Sequence, residues 1–306
     1  MSQSESQNLS LGVGISLIAS LFFATASSLV WGIQGKFPTI QILFIQNMVS
    51  FFCILPLSLR KGWQRLKTNH IELHLMRDLF GITSYYLFFL AIRFLNLVDA
   101  TTLNYTAPFF VPFIWWIWTK EKAERAIWWS IIIGFIGVSL ILNPTKAIFQ
   151  SGFVFGIFAG ITSAVALVAV RLLNLKKEPM SRTLFYYFAI GSIICFFFAW
   201  PVWIPPTPQE WLITSSIGIA TAIGQILLTI AYRFGAASFL SPLGYAVVIY
   251  NALISTFLFE FPLRLPSIIG TLLIIIGGTL TYLLKKRPKT IKEAFETPKP
   301  HEKPPL

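Results

Sequence analysis

Apolar residues along this chain gather into runs much longer than a soluble helix or strand needs, separated by short polar joints. Ten such runs stand at 11–31, 40–59, 75–93, 98–118, 127–143, 152–171, 183–203, 211–232, 238–259 and 265–284. Each comes close to the ~20 residues that cross a hydrocarbon core. Hydrocarbon supplies no hydrogen-bond partner, so a spanning backbone must close its own bonds, and runs this long and continuously apolar predict helices rather than barrel strands. The pattern predicts an all-α polytopic membrane protein of ten transmembrane helices. The joints are too short to hold a soluble catalytic domain.

The pattern also repeats. Ala91, Arg93, Phe94, Leu103 and Tyr105 recur as Ala231, Arg233, Phe234, Leu243 and Tyr245, at one offset of 140 residues. Gly12/Gly152, Ala19/Ala159, Ala24/Ala164, Ser130/Gly270 and Gly137/Gly277 keep the same offset. Each copy holds five runs, an odd number, so the second copy enters the membrane upside down relative to the first. Two inverted five-helix repeats about an axis in the membrane plane are the architecture of secondary transporters, in which mirrored gates around one central site give alternating access. The predicted organisation is a disordered cytoplasmic tail (1–10), a first repeat (11–146), a second repeat (151–287) and a basic, Pro-rich cytoplasmic tail (288–306).

Composition agrees with the membrane assignment: 55% of residues are hydrophobic and only 12% charged, against roughly 25% charged in soluble domains. The net charge of +12 invites a nucleic-acid partner, but position argues against it. With the N-terminus in the cytoplasm, the even-numbered joints carry Arg60, Lys61, Arg65, Lys67, Arg77, Lys120, Lys122, Arg125, Arg171, Lys176, Lys177, Arg182 and Arg233, while only Lys36, Arg93, Lys146 and Arg264 fall outside. This is the positive-inside pattern, with both termini cytoplasmic. The basic tail suits anionic lipid. The expected partners are the lipid bilayer and a small-molecule substrate, with no nucleic acid, and the chain is expected as a monomer or a homodimer. Residues 1–10 contain Glu5 and no Lys or Arg, so the first run is expected to remain as a span and not to be removed as a signal peptide.

Polar residues inside the runs are the candidate site, because hydrocarbon excludes them unless protein or water receives them. The second run carries Gln41, Gln46 and Asn47, the third Thr83, Ser84, Tyr85 and Tyr86, and the eighth Thr221 and Gln225. The fourth, with Thr101, Thr102, Asn104, Tyr105, Pro108, Pro112 and Trp115, is the most polar. Its two prolines remove backbone donors and are expected to bend it beside a cavity. The ninth carries Tyr245, Tyr250 and Asn251. The candidate substrate-binding set is Gln46, Asn47, Tyr85, Asn104, Tyr105, Trp115, Gln225, Tyr245, Tyr250 and Asn251. Each has an interhelical bond or an interface anchor as its alternative role. Tyr186 and Tyr187, near the end of a run, read as interfacial belt residues. Glycines of the fifth and tenth runs mark a packing or dimer seam.

These residues carry a family resemblance. A small-residue first helix (Gly12), Ala91-Ile-Arg-Phe94, Pro108, Glu121 and Gly137, then Gly152, Ala231-Tyr-Arg-Phe234, Glu260 and Gly277, resemble the two repeats of the EamA family in the drug/metabolite transporter superfamily. Glu121 in Lys-Glu-Lys and the early position of Pro242 depart from that pattern. Leu75-Met-Arg77-Asp78 and Glu260-Phe-Pro262 are similar to the branch that includes S-adenosylmethionine uptake carriers. The resemblance implies a multi-pass transporter of the bacterial inner membrane. It covers residues 11–287.

No enzyme constellation emerges. His70 and His74 are expected as a solvated pair, there is no phosphate-binding loop, and neither cofactor nor metal is expected. Asp78, Asp99 and Glu260 all read as boundary residues, with Arg77-Asp78 as an ion pair or headgroup contact. The pathway is therefore expected to be lined by neutral polar and aromatic groups, without the mid-membrane carboxylate of ion-coupled pumps. Coupling, if present, falls to Asp78, Asp99 or Glu260. Arg93 and Arg233 snorkel to opposite faces or gate the two openings. The predicted function is secondary transport of a small polar or amphipathic metabolite, such as an amino acid or an S-adenosylmethionine-like compound. Export of drugs or excess amino acids is the alternative, and a non-transporting membrane scaffold the alternative of another class.

Overall fold

A computed structural model of the chain describes residues 3–60, 62–120, 129, 132–137, 140, 151–231, 234, 241–260 and 265–283. Among the described residues the regular structure is helical. The helices are α1 (Gln3–Ile33), α2 (Thr39–Leu59), α3 (Ile71–Phe94), α4 (Leu97–Asn104), α5 (Ala107–Thr119), α6 (Ser151–Leu175), α7 (Met180–Ala199), α8 (Pro208–Ala231), α9 (Ala246–Leu258) and α10 (Leu265–Leu283). Short 3-10 turns lie at Trp63–Leu66, Trp200–Val202 and Ser241–Tyr245. Among the described residues six helices are long and apolar enough to cross a bilayer, Ser10–Ile33, Thr39–Leu59, Ile71–Phe94, Ser151–Leu175, Met180–Val202 and Pro208–Ala231. They coincide with the first, second, third, sixth, seventh and eighth predicted spans. Most of the fifth span lies outside the described residues, and the ninth and tenth contain shorter apolar helices, Leu243–Leu258 and Leu265–Gly277.

The fourth span is broken rather than bent. α4 stops at Asn104 and α5 restarts at Ala107. Pro108 sits in the first turn of α5, where a missing N–H leaves no intrahelical bond unmade. Pro112 then lies inside α5, so the carbonyl of Pro108 has no N–H four residues on to bond with. In the second repeat the 3-10 turn Ser241–Tyr245, containing Pro242 and Gly244, precedes α9. Tyr105, at the α4–α5 break, and Tyr245, at the end of this turn, stand 140 residues apart.

Lipid gives helices no hydrophobic reason to associate, so close backbone approach through small residues does that work. The glycines of α6 show it. A methyl on Gly152 would lie 2.7 Å from Phe94 Cβ, one on Gly156 2.7 Å from Leu103 Cδ1, and one on Gly160 2.5 Å from Thr106 Oγ1. α6 therefore lies along the end of α3 and across α4. α2 packs on α7 and α8, with Ser50 Oγ donating to the Gly218 carbonyl at 2.8 Å. One apolar cluster joins residues of both repeats, including Ile42, Leu43, Phe88 and Ile92 from the first and Leu184, Phe188 and Ile217 from the second. At the expected fifth–tenth seam, a methyl on Gly137 would lie 2.6 Å from the Gly270 carbonyl, so this contact is made within one chain.

Candidate functional site

The helices enclose a cavity of about 300 Å³. α3 supplies its longest wall: Arg77, Gly81, Ser84, Tyr85 and Phe88 all line it, at the i, i+4, i+7, i+8 and i+11 positions of one helix face. α8 adds Thr221, Gln225 and Leu228, and α1 adds Ser20, Phe23 and Ser27. Asn104, Tyr105 and Pro108 enter from the broken fourth span, and Gly244 and Tyr245 from the turn before α9. Tyr105 and Tyr245 face each other, with ring centroids 6.0 Å apart and planes tilted by 50°. A methyl on Gly244 would touch the Tyr105 ring at 3.6 Å.

Six of the ten candidate binding residues line this cavity: Gln46, Tyr85, Asn104, Tyr105, Gln225 and Tyr245. The other four stand elsewhere. Asn47 Nδ2 donates to the Leu43 carbonyl at 2.8 Å, and its Oδ1 lies where a side chain on Gly191 would go. Trp115 packs under the Arg171 guanidinium, 3.9 Å from its ring centroid. Tyr250 is half-buried on α9 away from the lining. Asn251 is an interhelical knot: Nδ2 donates to Ser27 Oγ at 2.9 Å and Thr101 Oγ1 at 2.8 Å, and Ser28 Oγ donates to its Oδ1 at 3.3 Å.

The candidate gating residues also separate. Asn96 caps the start of α4: its Oδ1 accepts from the Asp99 N–H at 2.8 Å, and its Nδ2 donates to Asp99 Oδ2. Arg93 is exposed in the last turn of α3, where a cation suits the helix dipole. Glu260 is exposed just past α9 with a left-handed φ of 52°. Arg233 lies outside the described residues. Asp78 is fully buried, with Oδ1 3.7 Å from Arg77 Nη1.

Four expectations are corrected. Arg77 and Asp78 are not headgroup contacts, because α3 begins at Ile71 and carries them about 9 Å into the helix. Arg77 is 9% exposed, and it makes the cavity lining charged rather than neutral. Its guanidinium carbon stands 3.6 Å from the centroid of the Tyr187 ring. Tyr187, read as a belt residue, is fully buried and lines the cavity. His74 is not solvated: it is fully buried, with its ring centroid 4.7 Å from that of Tyr186 and its Nε2 3.6 Å from Glu178 Oε2. The helical spacing from Arg77 through Gly81, Ser84 and Tyr85 was the available signal for the first of these.

Glu178 sits in the joint between α6 and α7. Thr68 Oγ1 donates to Oε1 at 2.8 Å and Arg182 Nη1 to Oε2 at 2.6 Å. Burial opposes ionisation of this carboxyl, but the bonds from Thr68 and Arg182, with the Arg182 charge, outweigh it and hold the group below its ordinary value.

The EamA-like transporter family model matches twice, over residues 10–143 and 150–283. The chain belongs to the EamA-like transporter family. Among its relatives, a pseudopaline exporter of Pseudomonas aeruginosa is 27% identical over 246 residues, covering 80% of this chain and 86% of its own length. A riboflavin transporter of Vibrio cholerae is 27% identical over 242 residues (78% and 81%). An S-adenosylmethionine uptake transporter of Rickettsia bellii is 25% identical over 286 residues (91% and 95%). A crystal structure shares the fold with a TM-score of 0.64 at 20% identity, covering 91% of this chain and 99% of its own. This EamA member is a multi-pass membrane protein, and its relatives are transporters rather than enzymes.

Proposed function

We propose that this EamA protein is a secondary transporter of the bacterial inner membrane that moves a small polar or amphipathic metabolite, an amino acid or an S-adenosylmethionine-like compound, by alternating access around the cavity. The observation that carries this is the pairing of Tyr105 and Tyr245 across it. Residues at equivalent places in the two sequence repeats meet at one site, as two inverted five-helix units around a shared centre would bring them. Both termini then lie in the cytoplasm. The lining mixes aromatic faces with amide and hydroxyl groups, which suits a ligand with a flat or apolar body and a few polar groups.

Purified protein in liposomes loaded with amino acids or S-adenosylmethionine tests this. Saturable counterflow of a labelled compound is the expected result, and its absence across the panel, with correctly inserted protein, defeats it. Inside-out and right-side-out vesicles separate uptake from the exporter alternative, since relatives bear names of both kinds. The proposed cycle is facilitated or exchange transport. Replacing Asp78, Asp99 and Glu260 singly checks coupling: none is expected to abolish proton-driven uptake while sparing exchange.

A further inference from the structure

We infer that Arg77 is the specificity-determining residue of the cavity and that the substrate it selects carries a carboxylate. The inference rests on the transport role above and names what the site recognises. Four features of the cavity support it.

Among the described residues lining the cavity, Arg77 is the charged one. It is nine-tenths buried, yet its Nε and Nη1 have no hydrogen-bond partner among the described residues. Its contact with Asp78, at 3.7 Å, exceeds hydrogen-bond length, and Asp78 itself is absent from the lining. The cavity therefore sees the guanidinium and not its counter-charge.

A buried guanidinium with free donors is costly unless something accepts from them, and a carboxylate matches the planar fork with two parallel bonds. The orientation of the fork is held from behind. Tyr187 stacks on one face of the guanidinium at 3.6 Å. Gly81, one turn along α3, leaves the space for that stack, since a methyl there would lie 3.1 Å from the Tyr187 ring and 3.3 Å from Arg77 Nη1.

A second polar group points the same way. Gln46 is 1% exposed, lines the cavity, and has neither side-chain atom bonded among the described residues. Its amide offers both a donor and an acceptor, so a carboxylate-bearing ligand with an adjacent N–H or O–H group can satisfy it. The remaining wall, with the Tyr105–Tyr245 pair, is aromatic and receives the uncharged body.

The test uses the full-length protein in liposomes and matched probes: L-tryptophan, L-methionine and S-adenosylmethionine, each against the counterpart whose carboxylate is an amide or is removed, together with riboflavin, which has none. Flux and ligand-induced thermal stabilisation are both read. The expected result is that acids are carried and stabilise, with amides and riboflavin at least about tenfold weaker, the range of a hydrogen bond to a charged group. Arg77→Gln abolishes the distinction between acid and amide, and Arg77→Lys restores it in part. Because Arg77→Gln leaves Asp78 buried alone, the neutral pair Arg77→Gln/Asp78→Asn is measured beside it.

Equal flux of acids and amides in the wild-type protein overturns the inference while leaving transport standing. Riboflavin flux that Arg77→Gln does not change does the same. No flux of any probe, with no stabilisation by any acid, overturns both.

Discussion

Asn251 ties α9 to α1 and α4 through one amide, with Nδ2 on Ser27 and Thr101 and Oδ1 accepting from Ser28. Truncating it takes the amide away from three hydroxyls and leaves a buried space, so Asn251→Ala is expected to destabilise the protein by about 1–2 kcal/mol, near the upper end for polar contacts within membranes. Unfolding in detergent checks this, and an unchanged midpoint would remove Asn251 from this role. Gln46 and Asn47 show how residue roles divide. Consecutive on α2, they point about 100° apart, one into the cavity and the other against Gly191. Sequence marks both as polar groups that lipid would refuse. Only the rotation of α2 against α7 and α8 tells the ligand-facing amide from the packed one.

Among the elements, α6 carries three closely covered glycines, Gly152, Gly156 and Gly160. A methyl on Gly160 would overlap Thr106 Oγ1 at 2.5 Å and approach the Leu103 carbonyl at 3.0 Å, both at the α4–α5 break. Backbone cannot yield there as a flexible side chain could. Gly160→Ala is expected to destabilise by about 1–3 kcal/mol and to reduce flux by displacing the break that carries Tyr105. Gly14→Ala on α1, with nothing within 4 Å, is expected to be neutral or slightly stabilising. Equal effects from the two substitutions in thermal unfolding would count against the packing argument. The small-residue stripe and the two prolines were legible in the sequence. That Pro108 starts a new helix instead of bending the old one was not, because proline tolerates either place and the surrounding α3, α6 and α10 contacts choose.

At the scale of the whole molecule, Glu178 links the segment around Thr68, α3 through His74 and α7 through Arg182. Its carboxyl is held below its ordinary value of 4.5 in the folded protein. The unfolded chain therefore binds the proton more readily, so the stabilisation is complete above 4.5 and is lost as pH falls through the lower folded value. Glu178→Gln is expected to lower the melting temperature at neutral pH, with the gap to wild type closing below pH 4.5. A gap that stays constant with pH would show that the charge is immaterial. The amino-acid pattern alone determined that the chain is helical, embedded and duplicated, since those properties depend on run length, on hydrocarbon's refusal of unpaired backbone and on one constant offset. Tertiary structure decided which intramembrane polar groups face the cavity, that Arg77 does so although it reads as a boundary charge, and that Tyr105 meets Tyr245. Those outcomes depend on the rotation and crossing of helices whose partners lie far along the chain, and no local run of residues encodes that.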